Sequence, residues 1–268
     1  HRDLHSFPTR RSSDLTGAFI INSFTDLGIA TISNSESLAD FTTDFMIAPV
    51  VEETLKGFAV LLVFLMFRNE FDSILDGIVY AAVTALGFAA TENVFYIYTY
   101  GYMNGGWENL YFLAFIRDIV VGWQHAFYTA FIGIGLAYAR LHKHALVQII
   151  AVLVSWNISV FTHSMHNLLA SFDGIMCFIG SILDWSGWLA MLIFILLMAH
   201  REKKLIQKYL QEECALGYIS EIQYLTAQST RRQFMVLLQS IFEGKFSATR
   251  RFYQDRKSTR LNSSHVSE

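Results

Sequence analysis

Two adjacent glutamates stand in Pro49-Val-Val-Glu52-Glu53-Thr-Leu-Lys56, at the head of the apolar run Gly57–Phe67. Ionisable residues inside membrane-length apolar segments are costly, so those that persist usually serve function. Three further apolar segments bring complementary groups. One holds Glu92 and Asn93, the next His125, and the third His163, His166 and Asn167. A carboxylate in an apolar wall suits a general base that draws a proton from water. His163 and Asn167 are four residues apart and share a helix face, so they could offer two donors to one oxyanion. Carboxylate, imidazole and amide on four apolar helices are the equipment of a hydrolase that works inside a bilayer.

Each residue also has a plainer reading. Glu52 could snorkel to the interface, bonded to Lys56 one turn on. Adjacent helical residues point about 100° apart, so a site needs only one of Glu52 and Glu53. Glu92 could be an interhelical strut, and His125 a satisfied core histidine. Arg117 has two candidate partners, Asp118 and a site carboxylate. The sequence leaves open whether His163 or His166 faces the site. No His-Glu-x-x-His, Cys-x-x-Cys or Gly-x-Ser-x-Gly is present, and Cys177 and Cys214 fit no metal or redox spacing. No cofactor is therefore expected, although Glu92, His125 and His163 could together hold a metal.

These groups must be positioned by membrane helices. Hydrophobic residues make up 53% of the 268-residue chain, with only two Pro. Mean hydropathy is +0.35, too apolar for an ordinary soluble domain. With 20 Lys+Arg against 23 Asp+Glu, nothing points to nucleic acid as a partner. The expected fold class is all-α, a polytopic transmembrane helix bundle with at least five spans. These run over Ile47–Phe67, Ile74–Tyr100, Tyr111–Ala139, Ala145–Ser171 and Gly180–Ala199, each near the ~20 residues a bilayer requires. Gly77, Ala81, Ala82, Ala85, Ala89 and Ala90 would let the second span pack closely. Basic residues follow the first, third and fifth spans (Arg68; Arg140 and Lys143; Arg201 onward), which places those loops and the C-terminal tail in the cytoplasm. In that orientation Glu52, Glu92, His125 and His163 reach similar depths. Residues 16–200 are read as an N-terminally truncated transmembrane domain, with 16–32 as the end of an earlier span. Residues 201–254 are read as a cytoplasmic tail of short helices, turning at Gly217 and capped at Ser229. Residues 1–15 and 255–268 look like translated sequencing adapters and are excluded from the fold.

The pattern resembles the PrsW family of membrane proteases, related to the CAAX prenyl-protease and bacteriocin-processing-like endopeptidases. The resemblance rests on Pro49…Glu52-Glu53-x-x-Lys56, Gly87-Phe88-Ala89…Glu92-Asn93…Tyr96, Arg117…His125 and His163-x-x-x-Asn167. The broader superfamily has Glu-Glu-x-x-x-Arg, whereas here Lys56 comes one position earlier. The resemblance implies a glutamate-dependent intramembrane endopeptidase of a bacterial cell membrane. Its substrate would be a membrane-anchored protein such as an anti-sigma factor. Glu52 would activate water with Glu53 as partner, and His125 would help to hold that water. His163 and Asn167 would stabilise the oxyanion, and Glu92 would support the site. A zinc-dependent version of the same protease and a proton-coupled transporter are the competing readings.

Overall fold

The structure, a computed structural model, describes residues 41–68, 71–172 and 175–250. The predicted remnant of an earlier span at 16–32 and the adapter-like ends lie outside the described residues. Those described form helices and no strand.

Helix α1 (Ala48–Met66) begins with Pro49 in its first turn, where a missing N–H costs no bond. A π-helical turn, Thr43–Ile47, precedes it. Helix α2 (Ile74–Tyr96) runs on through a second π turn, Ile97–Tyr102, into α3 (Met103–Ala114). The chain reverses within α3, where Gly106 has φ 67° and ψ −153°, a conformation essentially reserved for glycine. A third π turn, Phe115–Val120, follows. Then come α4 (Gln124–Leu141), α5 (Ala145–Ala170), α6 (Ile175–Ala215), α7 (Glu221–Ala227) and α8 (Thr230–Phe242).

Two packed units result. One takes the described residues through Phe71 together with Asp76–Met191, and the other takes Asp72–Leu75 with the chain from Leu192. In the first unit α2 and α4 meet at glycines. A Cβ on Gly77 would strike the Gly133 carbonyl, and one on Gly133 would strike that of Gly77. Gly135 abuts the Ser155 side chain in the same way, drawing α4 against α5. Of the small residues on α2, Gly77, Ala81, Ala85 and Ala89 form the buried stripe, whereas Ala90 is exposed. That stripe leads directly to Glu92. Val60, Ala81, Ile132 and Leu136 form the apolar core beneath the polar groups.

Three helical stretches among the described residues are long and apolar enough to cross a bilayer: Ile74–Leu141, Ala145–Ala170 and Phe178–Ala215. The first stretch contains both the second and the third expected spans, with the Gly105–Gly106 reversal between them. The expected first span, α1, carries Glu52, Glu53 and Lys56 in 19 residues and falls outside this group.

Two boundaries differ from expectation. The third expected span, Tyr111–Ala139, breaks at Val121–Trp123. The π turn ends there, and Gly122 sits so close to the Asp118 carbonyl that a side chain would collide with it. His125 therefore occupies the first turn of a new helix. The last expected span, Gly180–Ala199, continues unbroken to Ala215. Arg201, Glu202, Lys203 and Lys204 change the polarity of the surface, but they are good helix formers. In the second unit Gly217 turns the chain with φ 76°. Ser220 forms a reciprocal capping box with Gln223 at the start of α7, and Ser229 caps α8.

Candidate active site

Both glutamates of α1 turn inward. Glu52, Glu53 and Lys56 are 6%, 0% and 1% exposed, which excludes snorkelling to an interface. Glu53 is the most fully bonded group. Its Oε2 accepts hydrogen bonds from Thr129 Oγ1 at 2.9 Å and Ser159 Oγ at 2.7 Å. Its Oε1 accepts from Lys56 Nζ at 2.8 Å and faces His163 Nδ1 at 3.0 Å. Four donors from three helices thus saturate one carboxylate. Glu52 is held more loosely, with Oε2 3.4 Å from Lys56 Nζ and 3.9 Å from His163 Nε2.

Lys56 Nζ has three acceptors for three N–H groups: Glu53, Glu52 and, at 2.9 Å, His125 Nδ1. An ammonium has no lone pair, so it donates, and His125 Nδ1 accepts. That fixes the His125 hydrogen on Nε2, which lies 3.1 Å from Glu92 Oε2. Glu92 also pairs with Arg117 Nη2 at 3.1 Å. The Arg117 Nε donates to Asn93 Oδ1 at 2.8 Å, and the guanidinium lies over the Tyr96 ring. Asp118, the other candidate partner for Arg117, receives Asn93 Nδ2 at 2.7 Å. A continuous polar chain therefore runs from Ser159 through Glu53, Lys56 and His125 to Glu92 and Arg117.

His163 faces this chain and His166 does not. His163 stacks on the buried Tyr128 ring, with centroids 4.9 Å apart and planes 16° apart. His166 instead directs Nδ1 to Asp184 Oδ2 at 2.7 Å. Asn167 shares the buried face of His163, as its spacing predicts, but its amide donates to the Asp44 carbonyl at 2.9 Å in the π turn before α1. Of the six candidate residues, Glu52, Glu53, Glu92, His125 and His163 lie in one contact network, and Asn167 borders it.

Thr129 and Ser159 were not among those candidates. Each lies four residues from a site histidine, on its helix face, and that spacing is the signal that could have found them. The metal triple suggested by the sequence also changes membership. Glu52, His125 and His163 each offer a ligand atom, and the three atoms lie within 4.8 Å of one another.

A family model described as PrsW family intramembrane metalloprotease matches residues 13–199. A curated relative, Protease PrsW of Geobacillus kaustophilus (strain HTA426), is 44% identical over 57 residues, 21% of this chain and 25% of the relative. The aligned stretch thus spans about a quarter of that relative's length. No solved structure matches the chain.

Proposed function

Because this chain belongs to the PrsW family of intramembrane proteases, we propose that it hydrolyses a peptide bond of a membrane-anchored protein, with Glu52 as the general base. One observation carries this reading. Glu53 has all its acceptor positions filled by protein donors, whereas its neighbour Glu52 has only two longer approaches. The saturated carboxylate anchors three helices, and the looser one can take a proton.

Glu52 removes a proton from water as the oxygen attacks the carbonyl carbon. Since Nδ1–H of His163 donates to Glu53, its Nε2 presents a lone pair toward Glu52 and accepts a hydrogen bond from the water's second O–H, which stays on the attacking oxygen. Lys56, the nearest cation to Glu52, offsets the negative charge that develops, and Asn167 is the amide donor at the border of the site. Glu52 then returns its proton to the departing nitrogen as the C–N bond breaks. A membrane-anchored regulator such as an anti-sigma factor is a substrate of the right class.

One carboxylate and two imidazoles are donors that zinc accepts. Here, however, the Lys56 ammonium stands among them, 2.9 Å from His125 Nδ1 and 3.4 Å from Glu52 Oε2. A metal ion at that point would meet the ammonium charge, so in this reading no step is assigned to a metal.

The test is Glu52→Gln in the full chain, reconstituted in liposomes with a fluorogenic membrane peptide. Losing a general base costs about 100- to 10,000-fold in rate, and the wild-type activity should survive a strong chelator. Near-normal turnover in a stably folded Glu52→Gln variant, or zinc-restorable loss in chelator, defeats the mechanism. The five-span topology and cytoplasmic tail belong to the same proposal, on the alternation of basic loops. Lys143→Cys and Lys204→Cys should react with an impermeant thiol reagent from the cytoplasmic side alone, and labelling from outside reverses the orientation.

A further inference from the structure

We infer that Asp184, on α6, is a positioning residue that sets the separation of the two helices bearing the site imidazoles. This role presupposes the site proposed above. A single oxygen, Asp184 Oδ2, accepts from Gln124 Nε2 at 2.7 Å and from His166 Nδ1 at 2.7 Å. Gln124 immediately precedes His125, and His166 lies three residues beyond His163. The two arms of the clasp thus end beside the two histidines, while Asp184 itself bonds Gln124 and His166.

The α4 arm matters because of the break at Val121–Trp123. Gln124 is the first residue of α4, and no side chain caps that end. The backbone there is tied by the Gln124 N–H to the Val121 carbonyl at 3.1 Å, and the Asp184 bond adds a side-chain restraint at the residue next to His125. The α5 arm reaches His163 through a shared ring. Tyr128 is 1% exposed, stacks on His163 and lies tilted over His166 at 6.0 Å. A shift of His166 is therefore felt by the ring that backs His163.

α6 is built to deliver this carboxylate. Gly180 and Gly187 flank Asp184 at −4 and +3, on the same helix face. A Cβ on Gly180 would come 2.8 Å from Leu169 Cβ, and one on Gly187 would come 2.9 Å from the Phe127 ring. Close approach above and below brings Asp184 within bonding distance of both partners. Trp123, in the break itself, packs against Trp188 and Trp185 at 5.6 and 6.5 Å.

The experiment uses the full chain in liposomes with the same fluorogenic peptide, together with 15N spectra of histidine-labelled protein. Asp184→Ala should lower kcat about 10- to 100-fold with KM little changed, since small misplacements of catalytic groups cost rate on that scale. It should also move the imidazole resonances of His125 and His163. Asp184→Asn, whose amide oxygen can still accept both bonds, should recover most of the rate. Gln124→Ala and His166→Ala should each give part of the loss, and neither should add fully to Asp184→Ala. If Asp184→Ala does not fold, these single-arm variants supply the same readouts. Unmoved histidine resonances, or a loss of rate that only follows the folded fraction, would reduce Asp184 to a strut. A raised kcat would make it a restraint on opening and equally overturn the inference. Failure of the Glu52→Gln test leaves the resonance readout intact, so the two proposals can fail separately.

Discussion

Glu53 and Glu92 are both buried and both paired with a cation, yet the regions around them are built differently. Glu53 is fully enclosed, and its partners Lys56, Thr129, Ser159 and His163 leave no acceptor position to solvent. Glu92 meets a guanidinium whose side chain is 19% exposed, in a cluster that spreads over Asn93, Asp118 and Tyr96. A buried carboxylate must be satisfied by protein groups; Glu53 has a donor at each position, whereas the buried Glu92 Oε2 has only His125 Nε2 beside it, at 3.1 Å. The enclosed cluster is therefore suited to fixing helices. The open one is suited to orienting a single side chain, His125, which takes Lys56 on one nitrogen and Glu92 near the other.

Removing each acid sharpens that contrast. Glu53→Ala takes from Lys56 its closest carboxylate, leaving Glu52 at 3.4 Å and His125, and leaves Thr129 and Ser159 without that acceptor. Breaking a buried pair in this way costs about 3–5 kcal/mol. Glu92→Ala leaves Arg117 partly exposed and still bonded to Asn93, so the loss should be nearer that of one charged hydrogen bond, about 1.5–3 kcal/mol. Thermal unfolding of the purified variants in one detergent measures both. Equal losses would erase the distinction between an anchoring and an orienting cluster.

The polar residues themselves were legible because their types are expensive in apolar segments. Glu52, Glu53, Glu92, His125 and His163 could be read as one group from the order of the helices and the alternation of basic loops. Thr129 and Ser159 could be reached only through their four-residue spacing from His125 and His163. A hydroxyl in an apolar helix usually bonds the carbonyl one turn back, as Thr162 does with Ile158, and carries no signal of its own. The break before His125 was hidden for a different reason. It needs a close backbone approach at Gly122 rather than a proline, and hydropathy does not register that. The continuation of α6 past Ala199 was missed because a change from apolar to charged helix formers alters the solvent and not the backbone. Gly217 and Ser229 were legible, because a positive φ and an N-terminal cap are set by local chemistry.

The smallest expected effect comes from exchanging the two cations while keeping their charge. Lys56 is a compact point charge with three N–H groups and three acceptors, in a space where it is 1% exposed. Arg117 is a planar fork that reaches Glu92 and Asn93 at once and stacks on Tyr96. Lys56→Arg must fit a larger, flat group into the enclosed cluster, and overpacking of that kind costs about 1–3 kcal/mol. It also moves charge away from Glu52, so turnover should fall more than stability. Arg117→Lys keeps the pairing with Glu92 but gives up the bond to Asn93 and the ring contact. Because the charge and the ion pair are kept, the loss should be about 1 kcal/mol. Melting temperature and turnover measured on both variants decide the matter. If Arg117→Lys proves the more damaging of the two, the open cluster holds the fold and the enclosed one does not.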